Sequence, residues 1–254
     1  MPGFAALAIT DHDTLGGVEE AAKAARRADM VFLAGTEISA HVSGFEVHVV
    51  GLGIQTNDKP LVEALDRLRA GRAARAQLIL ERLRAVGIMI DPGNVAMRAA
   101  DEASIGRIHI AQEIRAMGLV KTIQGAFDKY IGEGRPAYEP NPRLPCDEAI
   151  QLIQAAGGLA FLAHPGIGAP RRYLARLMEL PFDGIEAYHS KHSPGQVDQF
   201  LRVAAERELL VSGGSDCHGA LKTKPDMGKV RVPYGHYQRI QDVLDHRQRT
   251  RSQV

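Results

Sequence analysis

Histidine and acidic side chains recur beside short apolar segments along this 254-residue chain. Imidazole and carboxylate groups together form a ligand set that suits zinc, manganese or iron. A carboxylate can also bridge two metal ions, and such a pair can stabilise both oxygens of a displacement at phosphorus. These residue types predict a metal centre. The candidate residues are His12, Glu37, His48, His164, His189, Asp216 and His218.

The position of these residues along the chain supports the same prediction. A strand is predicted at 6–9, leading into Thr10-Asp11-His12-Asp13, and another at 159–163, leading into His164. In parallel α/β barrels the active site gathers at the carboxyl ends of the strands, so we expect the side chains to meet. Taken singly, each residue could be a hydrogen-bonded histidine or a helix-capping Asp. For the whole set, the alternative is a TIM-like domain with polar loop ends.

Strands and helices are predicted to alternate in two parts of the chain. The predicted strands are 6–9, 31–33, 45–51, 159–163, 184–188 and 209–212. The predicted helices are 18–27, 147–156, 172–180, 194–208 and the tail after Pro233. This order predicts an α/β fold with parallel strands.

Residues 58–145 are predicted to form a helical insertion, because residues 58–130 show helical periodicity and no convincing strand. One helix face is predicted from Leu61, Leu65 and Leu68, and a second from Leu78, Leu80, Leu83 and Val86. Breaks are predicted at Gly71, Gly87 and 91–93, and 136–145 is predicted to be a linker. The predicted domains are therefore a barrel of residues 1–57 and 146–254 and an insertion of residues 58–145.

Composition is typical of a cytoplasmic globular protein. Apolar residues make up 45% and charged residues 24%, and the formal charge is +1. The only cysteines are Cys146 and Cys217, which makes a structural disulfide unexpected. No secretory leader and no membrane-length apolar segment is recognised. Nothing in the sequence implies a stable protein partner.

Two groups of arginines could attract an RNA backbone. They are Arg67, Arg69, Arg72, Arg75, Arg82 and Arg84 in the insertion, and Arg247, Arg249 and Arg251 in the tail. A solvated helix face is the preferred interpretation, because few aromatic residues lie between them for base stacking. No P-loop, Cys-x-x-Cys or serine-hydrolase pattern is found.

Five segments of the sequence resemble motifs of the PHP (polymerase and histidinol phosphatase) superfamily. Four of them are 8–14 (AITDHDT), 35–39 (GTEIS), 162–165 (LAHP) and 213–219 (GGSDCHG). The fifth, 105–111 (IGRIHIA), resembles an arginine-histidine motif in the helical insertion of the stand-alone bacterial branch. The resemblance implies a distorted (β/α)7 TIM-like barrel with two or three divalent metal ions (Mn, Fe or Zn).

The resemblance also implies roles for individual residues. Metal binding is implied for His12, Glu37, His48, His164, Asp216 and His218, with Glu37 as the bridging carboxylate. His189 ranks lower as a ligand, since its strand end supplies one only in some relatives, and His189 and Asp216 could move protons. Arg107 and His109 would contact the substrate phosphate, because a guanidinium matches phosphate oxygens. The alternative for this pair is a helix-surface Arg and a packed His.

One feature of the family is missing from this sequence. PHP proteins open with a strand that ends in His-x-His, whereas only nine residues precede Thr10 here and they contain no histidine. We therefore expect the barrel to lack its first strand and part of its metal site. A truncated sequence is favoured over a degenerate protein, because every later motif is intact.

The function implied by the resemblance is metal-dependent hydrolysis of phosphate esters by a metal-activated water. Substrates of this branch are nucleotides or short oligoribonucleotides, as in a 3′,5′-bisphosphonucleotide phosphatase or a 5′-3′ exoribonuclease. One alternative is a catalytically impaired or non-catalytic PHP relative that binds a phosphorylated ligand. A further alternative is a histidinol-phosphate phosphatase.

Overall fold

The computed structural model describes residues 3–99, 105–167, 173–217 and 227–251. The chain divides into two compact units, which are described separately below. The first consists of Met1–Glu63 and Arg143–Val254, and the second of Ala64–Pro142.

A curled, half-barrel sheet flanked by helices forms the first unit. Its strands are β1 (Ala6–Ile9), β2 (Val31–Val42), β3 (Phe45–Leu52), β4 (Leu144–Pro145), β5 (Leu159–Leu162), β6 (Gly184–His189) and β7 (Leu210–Gly214). Its helices are α1 (Val18–Arg27), α6 (Cys146–Ala155), α7 (Leu174–Leu177), α8 (Pro194–Glu206) and α9 (Tyr234–Arg251). The mixed α/β class that the sequence predicts is confirmed.

Strand β2 organises one half of this sheet. Strands β1 and β4 pair with one edge of β2 in the parallel direction, and β3 pairs with its other edge in the antiparallel direction. Strand β3 is also antiparallel to β5, whereas β5, β6 and β7 are mutually parallel. The prediction of uniformly parallel strands is therefore wrong for β3. The turn at Ser43-Gly44 explains the difference, since both residues have positive φ and join β2 to β3 as a hairpin.

Two helices of the first unit have clear sequence signals at their ends. Helix α1 carries Glu19 and Glu20 in its first turn and Arg26 and Arg27 in its last, which complements the helix dipole. Helix α8 begins with a capping box, in which the Ser193 side chain accepts from Gln196 N and Gln196 reaches back to Ser193 N. Helix α1 follows β1 and the segment that contains His12, and α8 follows β6, which ends at His189.

One apolar cluster of the first unit lies between the sheet and α9. Ile240 and Leu244 of α9 pack with Phe161 of β5 and with Val50 and Leu52 of β3. Arg247 of α9 donates to Gly158 O and pairs with Asp183, at the start of β5 and β6. The tail therefore anchors this end of the sheet, which supports the structural interpretation of Arg247 over a role in RNA binding.

The described helices of the insertion are α2 (Lys59–Ala85), α3 (Pro92–Ala96), α4 (Arg107–Ala116) and α5 (Ile123–Ala126), with a π-helical turn at Phe127–Ile131. The linker predicted at 136–145 is wrong at its end, because Leu144–Pro145 forms β4 and pairs with β2. Helix α2 runs through Gly71, so the break predicted there is wrong. The second predicted helix face is also shifted. Ile79 and Leu83 are buried, but Leu78 and Val86 are exposed.

The second unit has an apolar core of its own. Ile79 and Leu83 of α2 pack there with Ile110 and Ile114 of α4. In this unit Arg75 donates to Glu139 O and to the Asn141 side chain, which again favours a structural role for an arginine of the basic stretch. Among the described residues of the whole chain, no helix is both long and apolar enough to cross a membrane.

Candidate metal centre

His12 and Glu37 are brought together by the pairing of β1 with β2. The chain continues beyond β1 alongside β2, where Asp13 N donates to Glu37 O (2.9 Å) and Glu37 N donates to Asp11 O (3.1 Å). These bonds hold His12 directly beside Glu37, with His12 Nδ1 3.9 Å from Glu37 Oε1. The Asp13 side chain is fully buried and accepts from Ser39 N, so Asp13 braces β2 rather than capping a helix.

His48 reaches Glu37 from the antiparallel neighbour β3. Ser39 of β2 lies opposite His48, which places His48 one diagonal step from Glu37 on the same face of the sheet. His48 Nδ1 lies 2.7 Å from Glu37 Oε1, and His48 Nε2 lies 3.2 Å from Glu46 Oε1. Arg143 in turn pairs with Glu46. A carboxylate behind an imidazole is the usual way in which a metal-binding histidine is oriented.

His164 approaches Glu37 from the end of β5. Ala163 N donates to His48 O, so the chain leaves β5 next to His48. His164 Nε2 lies 3.0 Å from Glu37 Oε1 and 3.1 Å from His48 Nδ1. Three imidazoles therefore converge on one carboxylate oxygen. Glu37 and His48 lie within strands rather than at strand ends, whereas His12 and His164 follow strands as the sequence predicts.

The groups that meet at this point favour the ionised forms of Glu37 and His48. Burial would raise the pKa of Glu37, but His12, His164 and His48 together hold that pKa well below its usual range. Burial would likewise lower the pKa of His48, yet its bonds to Glu37 and Glu46 raise the pKa to about 9. The protein without metal therefore carries an anionic carboxylate surrounded by imidazoles.

His189 and Asp216 form a second group next to the first. His189, at the end of β6, has its ring centroid 5.7 Å from that of His164, and its Nε2 lies 3.7 Å from Asp216 Oδ2. Lys191 N donates to His189 Nδ1, which assigns the proton of a neutral His189 to Nε2. A protonated Nε2 is a hydrogen-bond donor, not a ligand atom. This arrangement favours proton transfer over metal binding for His189.

Two further predicted site residues lie in the second unit, and one lies outside the described residues. Arg107, the first residue of α4, has its guanidinium carbon 5.6 Å from the Phe127 ring centroid and 5.9 Å from that of Tyr138. His109 is buried, which lowers its pKa, and its Nδ1 accepts from Gly106 N. The remaining nitrogen, Nε2, is then a donor. His218 belongs to the undescribed segment 218–226.

Glu186 is a site residue that the sequence reasoning missed. It lies on β6, and its Oε2 accepts from His164 N at 2.8 Å. Burial raises the pKa of Glu186 to about 7, although the bond from His164 N and the nearby His189 act in the opposite direction. The sequence offered little signal, because Glu186 stands inside a strand and within none of the motifs.

The residues that converge here fit a divalent metal ion. One ligand atom each from His12, Glu37 and His48 lies within 4.8 Å of the others. His164 Nδ1 is buried and has no hydrogen-bond partner among the described residues. Clustered imidazole nitrogens with a shared carboxylate suit manganese, iron or zinc. The donor set thus agrees with the metal site expected from the sequence.

Comparison with known proteins places the chain in a family. No protein-family model matches it. It is 36% identical over 230 residues to the 3′,5′-nucleoside bisphosphate phosphatase of Chromobacterium violaceum, covering 88% of this chain and 80% of the relative. It is 34% identical over 221 residues to the 5′-3′ exoribonuclease Rnm of Escherichia coli, covering 84% and 74%.

The chain belongs to the PHP superfamily of metal-dependent phosphoesterases.

A solved structure supports the same assignment. A protein from Bifidobacterium adolescentis, proposed to be a metal-dependent phosphoesterase, matches with a TM-score of 0.83 and 29% identity, over 94% of this chain and 85% of that one. The PHP family predicted from the sequence motifs is therefore confirmed. Enzyme class is confirmed with it, since the PHP relatives named above are hydrolases.

Proposed function

We propose that this PHP protein hydrolyses phosphate esters of nucleotides or short oligoribonucleotides. The observation that carries the proposal is the convergence of His12, His48 and His164 on Glu37. A binding module has no need of three imidazoles on one buried carboxylate. Two of the relatives act on a nucleoside bisphosphate and on RNA according to their names, which supports this substrate class.

The metal ligands proposed from this chain are His12, Glu37, His48, His164, Asp216 and His218. Bound divalent metal ions, either two or three, would supply a water of lowered pKa and stabilise charge on the phosphoryl oxygens. Glu37 is the proposed bridging ligand, since its Oε1 faces all three imidazoles. Glu46 orients His48 by accepting from Nε2, which leaves Nδ1 as the ligand atom.

Proton transfer is assigned to His189 and Asp216. With Nδ1 accepting from Lys191 N, a neutral His189 carries its proton on Nε2, which lies 3.7 Å from Asp216 Oδ2. A group so arranged can donate a proton to the leaving alkoxide of an ester, and general acid catalysis of this kind contributes about 10²–10⁴-fold. The loss of phosphate from a nucleotide requires such a proton donor.

Arg107 and His109 are the proposed ligands of the substrate phosphate. The insertion at 58–145 is proposed to form a cap on the substrate side. Phe127 and Tyr138 flank the Arg107 guanidinium and limit its conformations. His109 offers a neutral Nε2 donor. A planar guanidinium and a neutral donor together suit a phosphate monoester.

The two cysteines are free thiols, which suits the reducing cytoplasm that we propose as the location.

The proposal is tested by phosphate release from adenosine 3′,5′-bisphosphate, and by mononucleotide release from a short RNA with a 5′ phosphate. Both assays are run on chelated protein with and without added Mn²⁺. We expect activity toward at least one of the two substrates, and this activity should depend on added metal. Glu37→Gln should lower it at least about 100-fold, because even outer-shell changes cost about 10–100-fold.

The matched control is Glu19→Gln, which removes an exposed carboxylate that pairs only with neighbouring residues of α1. Activity equal to that of the wild type is expected for this variant. Turnover of neither substrate with any of Mn²⁺, Fe²⁺ or Zn²⁺ would contradict the proposal, as would equal activities of the Glu37→Gln and Glu19→Gln variants.

A further inference from the structure

The segment after β5 that carries His164 is held by residues of β6 and the turn beyond it. Glu186 Oε2 accepts from His164 N, and His192 Nε2 accepts from Gly166 N at 3.2 Å. His192 is itself fixed, because its Nδ1 donates to Ala187 O. The contact from Glu186 acts directly on the backbone N–H of His164, a residue of the metal centre.

His164 has a backbone conformation that needs such support. Its φ is +27°, in the left-handed region that residues with a Cβ rarely adopt. The same conformation directs its imidazole to Glu37 and His48. Unusual backbone conformations of this kind persist only where the surroundings fix them. The described contacts that fix His164 include the bond from its N–H to Glu186 and the bond from Ile167 N to its carbonyl.

The placement of Glu186 is also specific. The register between β6 and β7 shifts between Glu186 and Tyr188, and such irregularities redirect side chains near active sites. On β7, Gly214 lies beside the carboxyl group, since a Cβ at that position would be at a contact distance of 3.4 Å from Glu186 Oε1. The side chain therefore points along the sheet to β5 and meets the His164 backbone.

We propose that Glu186 is a positioning residue of the metal centre, which holds the His164 backbone so that the imidazole faces Glu37. The inference rests on the metal centre proposed above and adds to it a residue outside the ligand set. Glu186 acts through His164, as an acceptor for one backbone N–H. An amide oxygen can replace a carboxylate oxygen in this task, whereas an apolar side chain of similar size cannot.

The experiment compares Glu186→Leu with Glu186→Gln. Co²⁺ is titrated into metal-free protein and followed by its visible absorption, and hydrogen exchange of the His164 amide is measured by NMR without metal. Glu186→Leu should bind Co²⁺ about 10- to 100-fold more weakly, in the range of outer-shell changes at metal sites, and lose protection of the amide. Glu186→Gln should keep the protection and stay within about 3-fold of the wild-type affinity.

Asp183 supplies a matched control at the opposite end of β5. Its carboxylate accepts from Ala160 N at 2.8 Å, which is the same type of bond made near the start of β5 rather than beyond its end. Asp183→Leu, which removes this acceptor as Glu186→Leu removes the other, is expected to lower the melting temperature without changing the Co²⁺ affinity. A loss of affinity in this variant would mean that any damage to β5 disturbs the metal centre, which would overturn a specific role for Glu186.

Three further results would overturn the inference in different ways. Unchanged protection of the His164 amide in Glu186→Leu would show that Glu186 does not hold the backbone. Lost protection with unchanged Co²⁺ affinity would show that the backbone conformation of His164 does not affect metal binding. A wild-type protein that binds no Co²⁺ would contradict the proposed metal centre itself, and the role of Glu186 with it.

Discussion

Gly35 shows how closely the strands approach one another beside Glu37. A Cβ at this position would lie 2.7 Å from Gly51 O and 2.9 Å from Ile9 O, both of them backbone atoms that cannot move aside. Only a residue without a side chain allows β1, β2 and β3 to meet there. Because Glu37 follows two residues later on β2, the glycine also fixes where this carboxylate lies.

Gly35→Ala is therefore expected to destabilise the protein by about 1–3 kcal/mol, the usual range for overpacking. Urea unfolding of the metal-free protein measures the effect. Gly195→Ala is the control, because a Cβ near the start of α8 meets nothing within 4 Å and should be neutral or stabilising by up to about 1 kcal/mol. Equal stabilities of the two variants would show that the strands can separate at Gly35.

The two cysteines are expected to differ in reactivity. Cys146, the first residue of α6, is buried, and burial raises the pKa of its thiol to about 12. Cys217 is partly exposed. Since the thiolate is the reactive form, iodoacetamide at pH 8 should label one thiol in the native protein and both after unfolding. Intact mass spectrometry counts the labels, and two labels on the native protein would be inconsistent with this packing.

At the residue scale, the sequence was informative where a side chain belongs to a motif. His12, Glu37 and His164 were found because their neighbours form recognisable segments. Glu46 and Glu186 were missed, because their roles depend on partners far away in sequence, namely His48 with Arg143 and the backbone of His164. A single acidic residue inside a strand gives no local signal of such a role.

At the scale of elements, strand β2 was the main surprise. Only 31–33 was predicted, whereas the strand extends through Val42. The apolar pattern of this strand is obscured by small residues, namely Gly35, Thr36, Ser39 and Ala40. They are buried between neighbouring strands, where close approach favours small residues. The antiparallel direction of β3 follows from this extension, since only the full β2 reaches the hairpin turn.

The C-terminal helix α9 is expected to contribute to stability through Arg247. Its guanidinium donates to Gly158 O at 2.6 Å and pairs with Asp183, whereas Arg249 on the same helix is exposed. Arg247→Gln should lower the free energy of unfolding by about 1–3 kcal/mol, because it removes hydrogen bonds from a charged donor to partly buried acceptors. Arg249→Gln should change it by less than about 0.5 kcal/mol.

Urea denaturation of both variants measures this difference. If Arg247→Gln were as stable as Arg249→Gln, the contact of α9 with the start of β5 would not contribute to folding. A loss of RNA binding without a loss of stability would return Arg247 to the group of candidate RNA-steering residues.

Helix α4 carries the proposed phosphate site at its first turn, which gives a kinetic prediction. Arg107→Ala should raise the KM for adenosine 3′,5′-bisphosphate about 10- to 100-fold, since a hydrogen bond to a charged group is worth about 1.5–3 kcal/mol. Arg115→Ala, an exposed change in the last turn of α4, is the control and should leave KM unchanged. Equal KM values for both variants would remove Arg107 from the substrate site.

At the scale of the whole molecule, the order of elements was more predictable than their pairing. Local pattern gave β1 and α1 with correct ends, and it placed a run of helices between two parts of the chain that contain the other strands. Strand direction, sheet register and the long α2 depend on contacts between distant segments. The convergence of His12, His48 and His164 on Glu37 has the same origin. It depends on the pairing of β2 with β3, of β3 with β5, and of His12 beyond β1 with Glu37 on β2.

The measurement that tests the central claim most directly is anomalous diffraction from crystals grown with Mn²⁺, recorded on both sides of the manganese absorption edge. The structure predicts an anomalous peak within ligand distance of Glu37 Oε1, His12 and His48, and its loss or weakening in Glu37→Gln crystals. Manganese bound elsewhere with no peak beside Glu37 would contradict the account, because the convergence of imidazoles on that carboxylate would then have another purpose.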